Sequence, residues 1–165
     1  MVSPSDALKS NLRTYINQYR MIGDTINIKN AFVVNIGVNF EIITLPNYNN
    51  SQVLTDCISE LKNYFSINTW QINQPIILRS ISVLLDNIRG VQTVNNITIS
   101  NKAGTQSGYS QYAYDVSGAL QNGTIFPSID PMIFEVKYPN TDIVGRVVTL
   151  GQGGGSTANG GGRNY

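Results

Sequence analysis

Residues 31–44, AFVVNIGVNFEIIT, decide the fold. Phe32, Val34, Ile36, Val38, Phe40 and Ile42 fall on one side of an extended chain, and Val33, Asn35, Gly37, Asn39, Glu41 and Ile43 on the other. The first set is wholly apolar and rich in the β-branched and aromatic side chains that suit a pleated surface. The second is mostly polar. The stretch therefore predicts a half-buried strand in a sheet covered by helices on one face.

Upstream, Ser3 is placed to cap a helix with Pro4 at its first position and Asp6 in its first turn. Leu8, Leu12, Tyr15, Ile16, Tyr19 and Ile22 recur at helical spacing, opposite Lys9, Arg13, Asn17 and Arg20, and Gly23 can end the helix. This predicts one amphipathic helix with one stripe to bury. Downstream, a loop through Pro46, Asn47 and Asn49 leads to Asn50 or Ser51 as the cap of a second helix. Its stripe is Val53, Leu54, Cys57, Ile58, Leu61, Tyr64 and Phe65.

A short stretch around Trp70 and Ile72 is expected to pair at a sheet edge. Pro75 then opens a third helix with Ile77, Ile81, Leu84, Leu85 and Ile88 toward the core and Gly90 as its stop. A strand through Val91, Val94, Ile97 and Ile99 shifts its alternation at Asn95 and Asn96, which predicts a β-bulge. Residues 101–131 have no period and read as a long irregular loop, of the kind that carries interactions. Strands from Met132 to Tyr138 and from Ile143 to Leu150 close the reading. The whole predicts an α+β domain over residues 1–150, helices on one face of a mostly antiparallel sheet. The glycine-rich tail 151–165, GQGGGSTANGGGRNY, cannot build a core.

Composition narrows the function. Charged residues are 13% and the net charge is +1, against about 25% charged in ordinary domains. Such a field steers the chain toward neither nucleic acid nor acidic lipid, and suits contact with other proteins, because few charges need desolvating. No apolar run approaches the roughly 20 residues of a membrane span, and no secretory leader is recognisable, so an aqueous compartment is expected. The lone Cys57 reads as a small buried hydrophobe.

The chain has no His, which removes the commonest general base and metal ligand and every Ser-His or Cys-His pair. Asp56 and Glu60, four apart on the second helix, share a face and could act as paired carboxylates, but the buried stripe leaves them on the solvated side. No phosphate-binding or dinucleotide fingerprint occurs. The reading is a non-enzyme with no catalytic residue, cofactor, metal or small-molecule substrate. Tyr109, Tyr112 and Tyr114 leave two options: local packing of a folded-back loop, or a grip on a partner protein or a sugar.

The segment LRTYINQYRMIGDTINIKNAFVVNIGV, from Leu12 to Val38, resembles the C-terminal domain of the baseplate J-like proteins, most nearly the baseplate wedge subunits of T-even-type contractile-tailed phages. The stretches LTDCISELKNYFSINTWQINQPIILRSISVLLDNIRGVQTV, NGTIFPSIDPMIFEVKYP and TDIVGRVV agree with it in order and extent, over roughly residues 7–148. The resemblance implies a structural virion protein of the tail baseplate, assembled in the host cytoplasm. Its partners would be other wedge proteins, hub or tube proteins, and copies of itself, with no nucleic acid or membrane. Arg13, Tyr15, Tyr19, Trp70, Tyr109, Tyr112, Tyr114 and Arg146 are the expected interface anchors, as aromatic residues and Arg usually are. The alternative is a receptor- or glycan-binding tail module using the Tyr loop.

Overall fold

The computed structural model describes residues 4–149, so Ser3 and the glycine-rich tail lie outside the described residues. The elements run α1 (Asp6–Asn17), β1 (Phe32–Thr44), α2 (Asn50–Tyr64), β2 (Ile76–Ile77), α3 (Leu78–Asp86) and β3 (Val91–Asn101). A 3-10 turn (Thr105–Ser107), α4 (Val116–Ala119), β4 (Leu120–Gln121), β5 (Thr124–Ile125), β6 (Met132–Glu135), α5 (Pro139–Asp142) and β7 (Ile143–Val147) complete the chain order.

β1 is the hub of a four-stranded sheet. Along one edge β3 runs antiparallel, from Ile36 opposite Asn101 to Thr44 opposite Val91. On the other edge β6 and β7 lie end to end and parallel to β1, β6 beside Phe32–Asn35 and β7 beside Val38–Ile42. A small second sheet, β2–β5–β4, is antiparallel throughout. Three of the five pairings are thus antiparallel, and the fold is α+β. The predicted bulge is present: Glu41 faces Asn96 and Ile42 faces Val94, which leaves Asn95 unpaired in the ladder.

α2 and α3 pack on the sheet because their stripes complete its core. Val53, Cys57 and Leu61 of α2 and Ile81 and Leu85 of α3 join Val34, Ile36, Val38, Phe40 and Ile42 of β1 in one cluster. Gly145 lets α2 approach β7 closely, since a Cβ there would collide with the Phe40 ring and Leu54. Gly90, at φ 98°, makes the reversal from α3 into β3 that few side chains tolerate.

Several expectations are corrected. β1 is half-buried over only part of its length: Asn39 on its polar face is exposed, but Asn35 and Gly37 on that face are closed off, Asn35 by the 102–114 segment and Gly37 by Lys102, Ser100 and Asp142. Asn35 there accepts from the Ser110 N–H at 2.7 Å and donates to Glu135 at 2.8 Å, which makes a buried amide tolerable. The long segment is likewise not irregular throughout. Asn122 and Gly123, both at positive φ, turn β4 into β5 as a two-residue hairpin.

Trp70 and Ile72 form no strand; the pairing falls instead on Ile76 and Ile77, and Pro75 precedes a strand rather than opening a helix. α2 is capped one residue earlier than expected, by Asn49, whose Oδ1 accepts from Ser51 at 2.9 Å and Gln52 at 3.3 Å. The cap of α1 is Ser5, accepting from Leu8 at 3.3 Å. The last two strands end sooner than predicted, at Glu135 and Val147.

Candidate protein-interaction surface

α1 is amphipathic as its spacing requires, yet none of its residues is buried. Leu8 is 58% exposed, Leu12 45% and Tyr15 59%, and Ile16, Tyr19, Met21 and Ile22 are also open. The pattern Leu8, Leu12, Tyr15, Tyr19, Ile22 alternates steps of four and three, the spacing of a helix–helix seam. The helix nonetheless stops at Asn17. A short helix with nothing packed on its stripe has little to hold its last turn, so it ends before its sequence pattern does.

The polar side of α1 ties it to the segment between α1 and β1. The Arg13 guanidinium donates from Nε and Nη2 to the Ile26 carbonyl, at 3.3 and 3.1 Å, and Arg20 donates to the Asp24 carbonyl at 2.9 Å. The Tyr15 and Tyr19 rings meet at 5.3 Å between centres, tilted 58° to each other. Of the expected anchors, Tyr15 lies on the open apolar side of α1 and Tyr19 just past its end, while Arg13 lies on the polar side, tied to Ile26. Contiguous apolar surface of this kind marks contact sites on soluble proteins.

The remaining anchors are elsewhere and otherwise employed. Trp70 is 6% exposed and Tyr114 7%, so neither is the exposed aromatic that was expected. Trp70 packs its ring on Tyr64 and Phe65, at 5.6 and 5.2 Å, because the turn after α2 folds it under the helix end. Tyr114 lies edge-on to Phe134 and donates its hydroxyl to the Phe126 carbonyl. Tyr112 meets Phe32 edge-on at 5.0 Å. Tyr109 donates to the buried Asp142 carboxylate at 2.6 Å, and its own pKa is pushed up to about 12, chiefly by that bond. Of the two options for the Tyr loop, the geometry is that of local packing.

Arg146 pairs with Glu41, Nε to Oε1 at 2.9 Å, while Asn95 donates to the other oxygen at 2.8 Å. That arrangement holds the Glu41 carboxyl below its usual range. Arg146 remains largely exposed, so it is bound to the sheet and still reachable.

Asp56 and Glu60 lie one turn apart on α2, as their spacing requires. Asp56 is exposed on α2 and accepts from Gln52 at 2.9 Å, and Glu60 is half-buried a turn on. Cys57 is buried among apolar side chains, and its thiol is pushed up to about 11, first by burial and then by Asp56. Among the described residues no three His, Cys, Asp or Glu side chains are grouped to hold a metal ion, and no helix is long and apolar enough to cross a membrane. Sequence reasoning missed Asp142 and Asn35, the two buried polar side chains that anchor the 102–114 segment. The one signal for them was an Asn in the middle of an apolar strand.

No family model matches the chain, and no curated protein matches it.

Proposed function

We propose that the chain is a non-enzymatic structural subunit, a baseplate wedge component of a contractile phage tail that binds neighbouring subunits and copies of itself. The observation that carries the reading is α1: an amphipathic helix whose apolar stripe has no partner in its own chain among the described residues. Burying such a stripe is the main source of stability for a short helix, so an open one is a helix awaiting a neighbour. The four-three spacing fits a helix of an adjacent subunit better than a loop or a sugar, because each knob then finds a hole. Tyr15 and Tyr19, both exposed, add a side-chain type that dominates interface energetics. The sequence resemblance to wedge proteins supplies the assembly in which such a helix would be covered.

The experiment is incorporation into particles. Purified virions should contain the wild-type chain, located at the baseplate by electron microscopy. The double substitution Leu12→Asp with Tyr15→Asp should leave the thermal midpoint of the isolated chain unchanged and abolish incorporation. A chain absent from virions, or a double variant incorporated like wild type, defeats the proposal.

A further inference from the structure

β6 is an edge strand: among the described residues its strand neighbour is β1, on one side. Phe32 pairs with Met132, and the Phe32 N–H donates to the Pro131 carbonyl at 2.8 Å. In a parallel ladder this phase turns the backbone groups of Ile133 and Glu135 toward β1 and those of Met132, Phe134 and Val136 away from it. At Met132 a single residue stands in for the missing strand. The Asn73 N–H donates to the Met132 carbonyl at 2.7 Å, and the Asn73 Oδ1 accepts the Met132 N–H at 2.9 Å. At Phe134, one step along, nothing among the described residues does the same.

A groove of about 310 Å³ runs beside this open stretch. Residues 133–137 line one side, and Phe65, Ser66, Ile67 and Trp70 the other. The Trp70 indole N–H, closed off from water, has no hydrogen-bond acceptor among the described residues. Lys62 and Lys137 also line the groove, each donating to a neutral oxygen: Asn140 Oδ1 at 2.7 Å and the Gly108 carbonyl. The Glu135 carboxylate is already engaged by the Asn35 amide. The groove thus combines unpaired strand backbone, apolar walls and two cationic side chains.

We infer that this groove takes an extended segment of a partner protein by β-strand addition. The guest backbone pairs with the Phe134 N–H and carbonyl, an apolar guest side chain sits against Phe65, Ile67 and Trp70, and acidic guest residues meet Lys62 and Lys137. A second copy pairing β6 with β6 is the poorer occupant, because it brings its own Lys62 and Lys137 against the first pair. This surface is separate from α1 and stands whether or not α1 binds a wedge neighbour.

The test titrates the full 165-residue chain with the synthetic peptide acetyl-Glu-Val-Asp-Ile-Glu-Val-amide. Trp70 is the single tryptophan, so its fluorescence and indole N–H resonance report the groove without ambiguity. The acidic peptide should shift both signals and slow hydrogen exchange at the Phe134 amide. A version with Lys in place of the acids, and a version N-methylated at alternate residues, should each bind at least about tenfold more weakly. Lys62→Glu with Lys137→Glu should reverse the preference between acidic and basic peptides. Three results would overturn the inference: no Trp70 change at the peptide's solubility limit, equal binding of the N-methylated peptide, or protection of the Phe134 amide in the concentrated chain alone.

Discussion

α1 and α2 are the same object in sequence and opposite objects in the fold. Each carries an apolar stripe at helical spacing opposite a polar face, and each is capped by a side chain bonding the first-turn N–H groups. α2 lays Val53, Cys57 and Leu61 onto the sheet and runs its full predicted length, whereas α1 buries nothing and stops short. Amphipathicity therefore states which face of a helix will be covered, and leaves open by whom. In α2 the cover is the same chain; in α1 none of the described residues supplies it.

The comparison breaks most sharply under truncation. Leu61 is fully buried, so Leu61→Ala should cost about 2–5 kcal/mol in urea unfolding of the isolated chain. Leu12→Ala, the matching change on α1, should stay within about 0.5 kcal/mol, because no cavity forms where nothing packs. Similar losses at both positions would mean that α1 is held by its own chain after all, and the contrast between the helices would fall.

Much of the α2 side was legible in the residues. β1, the Asn95 bulge, the α2 stripe and the Gly90 stop all come from periods of two or 3.6 and from glycine stereochemistry. What was not legible depends on contacts far apart in sequence. Periodicity reports that β6 and β7 are strands, but not that both run parallel to β1. Asn35 and Gly37 look like solvated positions until residues distant in sequence close over them, Ser110 lying 75 residues from Asn35. The Asn122-Gly123 turn was a readable hairpin signal, masked because each flanking strand is only two residues long. Of the eight expected anchors, those on α1 are open, while Trp70 and Tyr114 went to the core because a large aromatic is as useful inside as outside.

The Tyr loop sharpens the contrast by a smaller step, since it is the region expected to behave like α1 that behaves like α2. Tyr109→Phe removes a donor to the buried Asp142 carboxylate and leaves it with the Tyr138 N–H at 2.9 Å. The cost near neutral pH should be about 1–3 kcal/mol. The folded pKa of Tyr109 is raised above its unfolded value, so the stabilisation is complete below about pH 10 and disappears as pH rises toward about 12. Wild type and variant should therefore converge in alkaline denaturation; curves that stay parallel through that window would show that the hydroxyl contributes nothing.

The smallest effect is expected at Arg146, an anchor that is both open like α1 and tied to the sheet like α2. Its guanidinium, followed by the Asn95 amide, holds the Glu41 carboxyl below the usual range. With the folded pKa depressed, the contribution is present above the unfolded Glu value of about 4.3 and is lost as pH falls through the folded one. Arg146→Ala should lower the thermal midpoint slightly at neutral pH and low salt, and not at all once both states are protonated in acid. Added salt should shrink the difference further, since the arginine is largely exposed and its charge is screened. A loss at neutral pH comparable with that of Leu61→Ala, insensitive to salt, would move Arg146 from the open class to the structural one and remove it from the proposed interface.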